Sequence, residues 1–257
     1  MDSEAARAAL TTMYAAGRML VFGHRGASAY APMNTLPAFE LAAAQGADGI
    51  ELDAHRTRDG HIVILHDFTV DKTTDGSGRI TDMTLERVRA LDAGSWFGDA
   101  FRGVGIPTLD EVFEAVGQRL YVNVELKSES QETDGLEQAV ADVIVRHNMQ
   151  QRVIVSSFNP LALARFRALL PAAPAAFLYD ETLGDPLSVL RAVGLTVEAL
   201  HPHHVLLDAG LMVLARTHGW WVNTWTVNDP ARAVALRDLG VDTVMTDNPD
   251  TVRRALG

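Results

Sequence analysis

The stretch "GIELDAHRTRDGHIVILHD", residues 49–67, decides how the strands of this chain connect. Two strand-like runs, 49–53 and 62–66, flank Asp59-Gly60, a tight-turn pair, and the gap between them is too short for a crossover helix. The second run therefore reads as the return arm of a hairpin. Further candidate strands lie at 19–23, 121–126, 153–157, 175–179, 198–201, 221–227 and 242–246. With 49–53 they make eight, most of them followed by a helical stretch, which predicts an α/β fold of the TIM (β/α)8 barrel type. An open doubly wound sheet fits less well, because no glycine-rich dinucleotide turn is present.

Punctuation supports the alternation. Asn34 precedes a helix with Pro37 in its first turn and Gly46 beyond its end. Asn159-Pro160, Asp229-Pro230 and Asn248-Pro249 read as cap-plus-proline starts, and Thr108 with Glu111 fits a capping box. Residues 67–107, which hold "TTDGSG", read as a cover over one end of the barrel. The expected organisation is one domain, 1–257, with a hairpin-plus-loop insertion at about 54–107. The opening "MDSEAARAALTTMYAAGRML" carries acids near its start and lacks a basic region followed by a sustained apolar run, so it reads as a short amphipathic lead-in helix and not as a signal peptide.

Composition narrows the partners. The 257 residues are 47% hydrophobic, enough for a sizeable core, and the net charge is -11 with basic residues scattered along the chain. That pattern gives no footprint for nucleic acid and favours a small-molecule partner. The absence of cysteine excludes disulfides and thiolate metal sites. No apolar run reaches membrane-spanning length, so the expectation is a cytoplasmic protein without stable membrane insertion.

Alternation places the chemistry. In "GIELDA", Glu51 and Asp53 point to one face of a strand and Ile50 and Leu52 to the other. In "YVNVELKS", Asn123, Glu125 and Lys127 share a face in the same way. Carboxylates directed into a barrel cost several kcal/mol each unless paired or bound to a cation, and pairing with Arg25 and Lys127 alone leaves acids in excess. Three acids and a lysine thus converge near strand C-terminal ends, where barrel enzymes keep their active sites. Such a set suits a hard cation, Mg²⁺ or Ca²⁺. His24 and His66 end strands over the same mouth. Two imidazoles beside a cation, with Arg25 and Lys127 for an anionic oxygen, supply acid, base and charge stabilisation for phosphoryl chemistry. "HPHH" at 201–204 reads as a solvated loop, Trp220 and Trp221 as packing, Asp247 as part of a turn, and His55, His61, His147 and His218 as surface.

Taken together, "GHRGAS", "NTLPAFELAAAQGADGIELDAHRTRDGHIVILHD", "TTDGSG", "IPTLDEVF", "VNVELK", "WTVN" and "TDNP" resemble the glycerophosphodiester phosphodiesterase family from about residue 20 to the C-terminus. The resemblance implies a TIM barrel with a small insertion, one divalent cation, and hydrolysis of a phosphodiester carrying a glycerol arm to sn-glycerol 3-phosphate and an alcohol. On that pattern Glu51, Asp53 and Glu125 hold the metal, His24 and His66 form the acid-base pair, Arg25 and Lys127 contact phosphate, and Trp225 lines the glycerol side. One position departs: the family's usual Pro-Glu-Asn-Thr has Met33 in place of its glutamate. The neighbouring readings are a lysophospholipase D-like hydrolase and a non-catalytic phosphodiester-binding module. The first would need an apolar groove, and Trp96, Phe97 and Phe101 in the insertion are its candidates. The second would be expected to lose a histidine or a carboxylate, and none is missing.

Overall fold

A computed structural model describes residues 2–257. Eight parallel strands close on themselves in the order β1 (Leu20–His24), β9 (Thr243–Thr246), β8 (Trp221–Thr224), β7 (Ala199–Pro202), β6 (Ala175–Tyr179), β5 (Val153–Ser157), β4 (Tyr121–Leu126) and β2 (Gly49–Arg56), with β2 pairing back onto β1. The fold is a TIM barrel. The ninth strand, β3 (Ile62–Ile64), runs antiparallel to the outer end of β2, with Ala54 opposite Ile64 and Arg56 opposite Ile62. At the turn between them Gly60 takes φ +95°, a left-handed value that glycine adopts without a Cβ penalty. The arm is shorter than the apolar run suggests. Beyond Ile64 the chain is still held by the Leu65 amide, which donates to the Asp53 carbonyl at 3.0 Å.

Between the strands lie α2 (Leu36–Ala44), α4 (Leu109–Val116), α5 (Leu136–Arg146), α6 (Pro160–Leu169), α7 (Pro186–Ala192), α8 (Ala209–His218), α9 (Pro230–Leu239) and α10 (Pro249–Leu256). Outward-facing Ile50, Leu52, Val122, Val124 and Val155 pack with Phe39, Val112, Ile144 and Phe166 of the helices. Fully burying side chains of this size contributes about 1.5–3 kcal/mol each. The segment 67–107 contains the short helix α3 (Leu85–Arg89) and gathers Val70, Ile80, Val88, Leu91 and Ile106 onto Val63 and Leu65 at the hairpin arm.

Most of the punctuation acts as read. Asn159 and Asp229 cap α6 and α9 through their side chains, and Thr108 with Glu111 forms a reciprocal capping box on α4. Two asparagines stand at helix starts as expected but turn their side chains elsewhere. The cap of α2 is Thr35, while Asn34 sits at φ +59° and turns its amide toward β2. Asn248 is the N-cap residue of α10, with Pro249 after it, but its side chain accepts from Thr246 Oγ1 at 2.6 Å and makes no cap bond to the helix. The strand expected over 221–227 ends at Thr224.

The lead-in helix, α1 (Asp2–Met13), closes the floor of the barrel. Its Leu10 and Met13 pack with inward-facing Leu20, Phe22, Ile154 and Ala176. Just beyond it, the Tyr14 hydroxyl donates to Asn223 Oδ1 at 2.8 Å and accepts from Thr243 Oγ1 at 3.2 Å. Around this floor one device occurs three times. Asp48, Glu198 and Asp242 each stand immediately before a strand, and a carboxylate oxygen of each accepts the amide of a residue on the neighbouring strand: Val21 at 2.9 Å, Ala175 at 3.0 Å and Val222 at 2.7 Å. Arginine clamps each acid. Arg18 and Arg253 hold Asp48, both arms of Arg167 hold Glu198, and Arg216 holds Asp242.

Among the described residues, no helix is long and apolar enough to cross a membrane.

Candidate active site

The site is built at the opposite end, where β1, β2 and β4 release their C-terminal residues. Paired register sets Glu51 beside His24 across β1 and β2, and Asp53 beside Glu125 across β2 and β4. The chain leaves β1 through Arg25 at φ +58° and Gly26 at φ +87°. A Cβ on Gly26 would lie 2.6 Å from the Ala38 carbonyl carbon, so glycine lets α2 press against this turn. The Arg25 amide meanwhile donates to both the Glu51 carbonyl at 3.0 Å and Glu51 Oε2 at 3.1 Å. That turn aims the Arg25 guanidinium across the mouth.

Glu51, Asp53 and Glu125 are buried, and one carboxylate oxygen from each lies within 4.8 Å of the others. Two cations answer three acids. Arg25 Nε is 3.3 Å from Asp53 Oδ2, and Lys127 Nζ is 3.5 Å from Asp53 Oδ1 and 3.0 Å from Glu125 Oε1. Among the described residues, Glu51 has no ion-pair partner. Burial, with Asp53 and Glu125 adding their charges, pushes its carboxyl well above the ordinary glutamate range. Glu125 is pushed up to about 7 by burial and the charge of Asp53. Burial works in the same direction on Asp53, but Lys127 and Arg25 outweigh it and hold that carboxyl below the usual range. Three carboxylates this close cannot all ionise comfortably without more positive charge. Asp53 Oδ1, buried and accepting no hydrogen bond, has a lone pair to spare. The donor set is three hard oxygen ligands, which fits a divalent Mg²⁺ or Ca²⁺ and not a soft metal.

Both histidines line the same cavity of about 230 Å³. Each is oriented by an aspartate. His24 Nδ1 lies 2.7 Å from Asp247 Oδ1, and His66 Nδ1 lies 2.6 Å from Asp67 Oδ1. A carboxylate at Nδ1 favours the tautomer with the proton there and leaves Nε2 as the second functional nitrogen. Burial draws the His66 imidazole below its ordinary pKa. Asp247 is itself fixed, accepting from Ser28 Oγ at 3.0 Å and Asn228 Nδ2 at 2.6 Å. Asn34, which does not cap its helix, donates from Nδ2 to Asp53 Oδ2 at 2.7 Å. Across from the charges stand Phe158, Leu178, Trp225 and Met245. Met33 lies against the arginine, whose Nη1 donates to its sulfur at 3.6 Å.

All eight residues singled out from sequence belong to this region. Seven line the cavity, and Asp53 sits just beneath, touching Arg25 and Lys127. Some remaining histidines differ from the sequence reading. His55 is 1% exposed, with its ring packed edge-on against Phe68, and burial lowers its pKa to about 4. His201 is fully buried on β7, with Asn223 Nδ2 2.9 Å from its Nε2, and burial lowers its pKa to about 3. "HPHH" is thus only partly loop. His203 pairs with Glu181, at 3.2 Å, from the turn that follows β6.

The model of the glycerophosphoryl diester phosphodiesterase family matches residues 24–251. The chain is 39% identical over 236 residues to a glycerophosphodiester phosphodiesterase of Caldanaerobacter subterraneus subsp. tengcongensis, covering 91% of this chain and 96% of that protein. It is 35% identical over 236 residues to a glycerophosphodiester phosphodiesterase of Bacillus altitudinis, covering 90% and 95% of the two. Among solved structures, an Oleispira antarctica phosphodiesterase in complex with the product sn-glycerol-3-phosphate superposes with a TM-score of 0.82 at 32% identity, over 94% of this chain and 98% of that one.

Proposed function

The chain belongs to the glycerophosphoryl diester phosphodiesterase family and is a phosphoric diester hydrolase of that kind, and from that premise we propose how its residues divide the work. Glu51, Asp53 and Glu125 hold one divalent cation, Mg²⁺ or Ca²⁺. Arg25 and Lys127 bind the non-bridging phosphate oxygens, and Trp225 backs the glycerol arm. His24 and His66 transfer the protons, one taking a proton from the attacking oxygen and the other giving one to the departing alcohol. When bound, the cation supplies positive charge for an oxygen of the substrate and for the negative charge that grows on phosphorus's ligands.

The chain's own part follows from geometry. Arg25 and Lys127 stand on opposite sides of the carboxylates, so a phosphate between them receives charge from both flanks. Asp247 and Asp67 keep the His24 and His66 imidazoles each in one tautomer and compensate the imidazolium that forms on proton uptake. The products are glycerol 3-phosphate and the free alcohol, matching the product named for the Oleispira enzyme.

The observation that carries this reading is the convergence, in one cavity, of an acid-rich cluster with two aspartate-oriented imidazoles. A module that only binds a phosphodiester has no use for two such imidazoles. The test is choline release from glycerophosphocholine by chelator-treated protein, before and after Mg²⁺ or Ca²⁺ is restored. The expected result is loss of turnover with recovery on metal return, together with a lowered melting temperature in chelator and in Glu125→Gln. Full turnover in excess chelator, or unchanged metal affinity in Glu125→Gln, rules out these ligands.

A further inference from the structure

Phe158 follows the last residue of β5 and leaves 43% of its surface exposed, an unusual position for a phenyl ring unless it covers something. It meets Trp225 from across the mouth, edge to face, with ring centroids 5.6 Å apart and planes at 83°. The two rings are held very differently. The indole of Trp225 is fixed, its Nε1 donating to the His201 carbonyl at 3.0 Å and its far side against His203, 5.0 Å between centroids. Among the described residues, Phe158 has no ring neighbour other than Trp225. Its backbone neighbours are anchored, Ser157 through its hydroxyl to the Leu126 carbonyl and Asn159 as the α6 cap, so the phenyl ring is the part free to turn.

Phe158 also separates two spaces. On its inner side is the active-site cavity of about 230 Å³, smaller than the roughly 300–1,000 Å³ of pockets that enclose drug-sized ligands. On its outer side is a groove of about 450 Å³ lined by Pro160, Leu161 and Val193 together with the polar loop 128–131 and Asn159. Phe158 is the one residue that lines both. An inner cavity of that size, charged on one wall and apolar on the other, accommodates a phosphate with a bare glycerol arm. A glycerol arm bearing a fatty acyl chain must put that chain somewhere, and the phenyl ring stands between the cavity and the Pro160–Leu161–Val193 side of the groove.

We infer that Phe158 is a specificity-determining residue, closing with Trp225 an aromatic gate that admits deacylated glycerophosphodiesters and excludes lysophospholipids carrying an acyl chain on the same glycerol. The inference rests on the reading above that Trp225 backs the glycerol arm. Removing the ring joins the cavity to the groove and gives an acyl chain an apolar course past Leu161 and Val193. The aromatic residues of the insertion, Trp96, Phe97 and Phe101, instead pack on one another and do not line the active-site cavity.

The experiment compares glycerophosphocholine with monomeric lysophosphatidylcholine, since choline leaves from both and only the acyl chain differs. Glycerophosphoethanolamine serves as the control for the other arm. The wild-type protein is expected to favour glycerophosphocholine strongly. In Phe158→Ala the lyso-to-glycero ratio of kcat/KM should rise about tenfold or more, with the choline-to-ethanolamine ratio held within about twofold. Phe158→Trp should lower the lyso-to-glycero ratio. Melting curves establish that both variants are folded. An unchanged ratio in folded Phe158→Ala, or a wild type that cleaves both choline esters equally, overturns the gate. A shift in leaving-group preference as large as the acyl shift also overturns it, by assigning this wall to the alcohol. A wild type that cleaves none of the three overturns the phosphodiesterase reading itself.

Discussion

The two ends of the barrel spend charge in opposite ways. At the floor, Asp48, Glu198 and Asp242 each have an arginine and a backbone amide of the neighbouring strand, so every buried oxygen that faces the fold has a donor. At the mouth, Arg25 and Lys127 pair with Asp53 and Glu125 only, Glu51 has the Arg25 amide but no cation among the described residues, and Asp53 Oδ1 accepts no hydrogen bond. Residue types are alike at both ends. The difference lies in whether the acids are neutralised within the chain, as they are at the floor and are not at the mouth. An incomplete polar cluster is costly to folding and is retained where chemistry uses it.

If that contrast holds, substitutions at the two ends should separate cleanly into rate effects and stability effects. The largest effect is expected at the mouth. His24→Ala and His66→Ala should each lower kcat by about 10²-fold or more, equivalent to about 3 kcal/mol of activation free energy, with melting temperature nearly unchanged. Near-normal turnover in either variant, read by steady-state choline release, removes that imidazole from the reaction. At the floor, Arg167→Leu leaves Glu198 buried without its charge partner and should cost about 3 kcal/mol of stability in denaturant titrations. Its kcat at a temperature where it remains folded should match the parent, and a loss of rate comparable to its loss of stability would break the separation.

Asp247→Asn should fall between these in kind. It retains the size of the side chain but weakens its hold on the His24 Nδ1 proton, and a drop of about tenfold to a hundredfold in kcat is expected, with a changed pH-rate profile. An identical profile with reduced stability would make Asp247 a packing residue only. The smallest effect is at Asp48. Burial opposes its ionisation, but hydrogen bonds from Arg18, the Val21 amide and Arg253 hold its carboxyl below the ordinary aspartate range. A depressed folded-state value means the stabilisation is present above the unfolded pKa of about 3.9 and fades as pH falls through the folded one. The stability gap between the parent and Asp48→Asn should therefore be open at pH 7 and narrow steadily below about pH 4. Arg18 is half exposed, so salt should shrink the gap as well.

How far the sequence speaks for each end depends on the range of the interaction. Alternation within one strand is local, so the residue pattern by itself assigns Glu51 with Asp53, and Glu125 with Lys127, to one face. The hairpin follows from Asp59-Gly60, again a local signal. Pairings across the closed barrel are another matter. The contact between His24 and Asp247 joins residues 223 positions apart, and "TDNP" reads locally as nothing more than a turn before a helix. Asn34 reads locally as no more than the residue ahead of a helix start, and only the approach of β2 turns its amide to Asp53. His55 continues the alternation of Asp53 along β2, but it lies where the insertion lays Phe68 over the strand, and no local signal announces that cover. The acids at the floor are single residues before strands, with arginines drawn from distant helices and turns, and no spacing rule identifies them.

The helix that forms the barrel floor has a consequence for how the molecule is made. Leu10, Met13 and Tyr14 leave the ribosome well before Thr243, which donates to the tyrosine hydroxyl and follows it by 229 positions. At roughly 5–20 residues per second, that is a wait of about 10 to 50 seconds in which the apolar side of α1 and the open edge of β1 have no native cover. The floor is therefore sealed only after β9 is made, long after its plug has been synthesised. A nascent chain stalled before β9 emerges would present both a naked strand edge and a greasy helix, the kind of surface that chaperones bind and that sister chains on a polysome aggregate through.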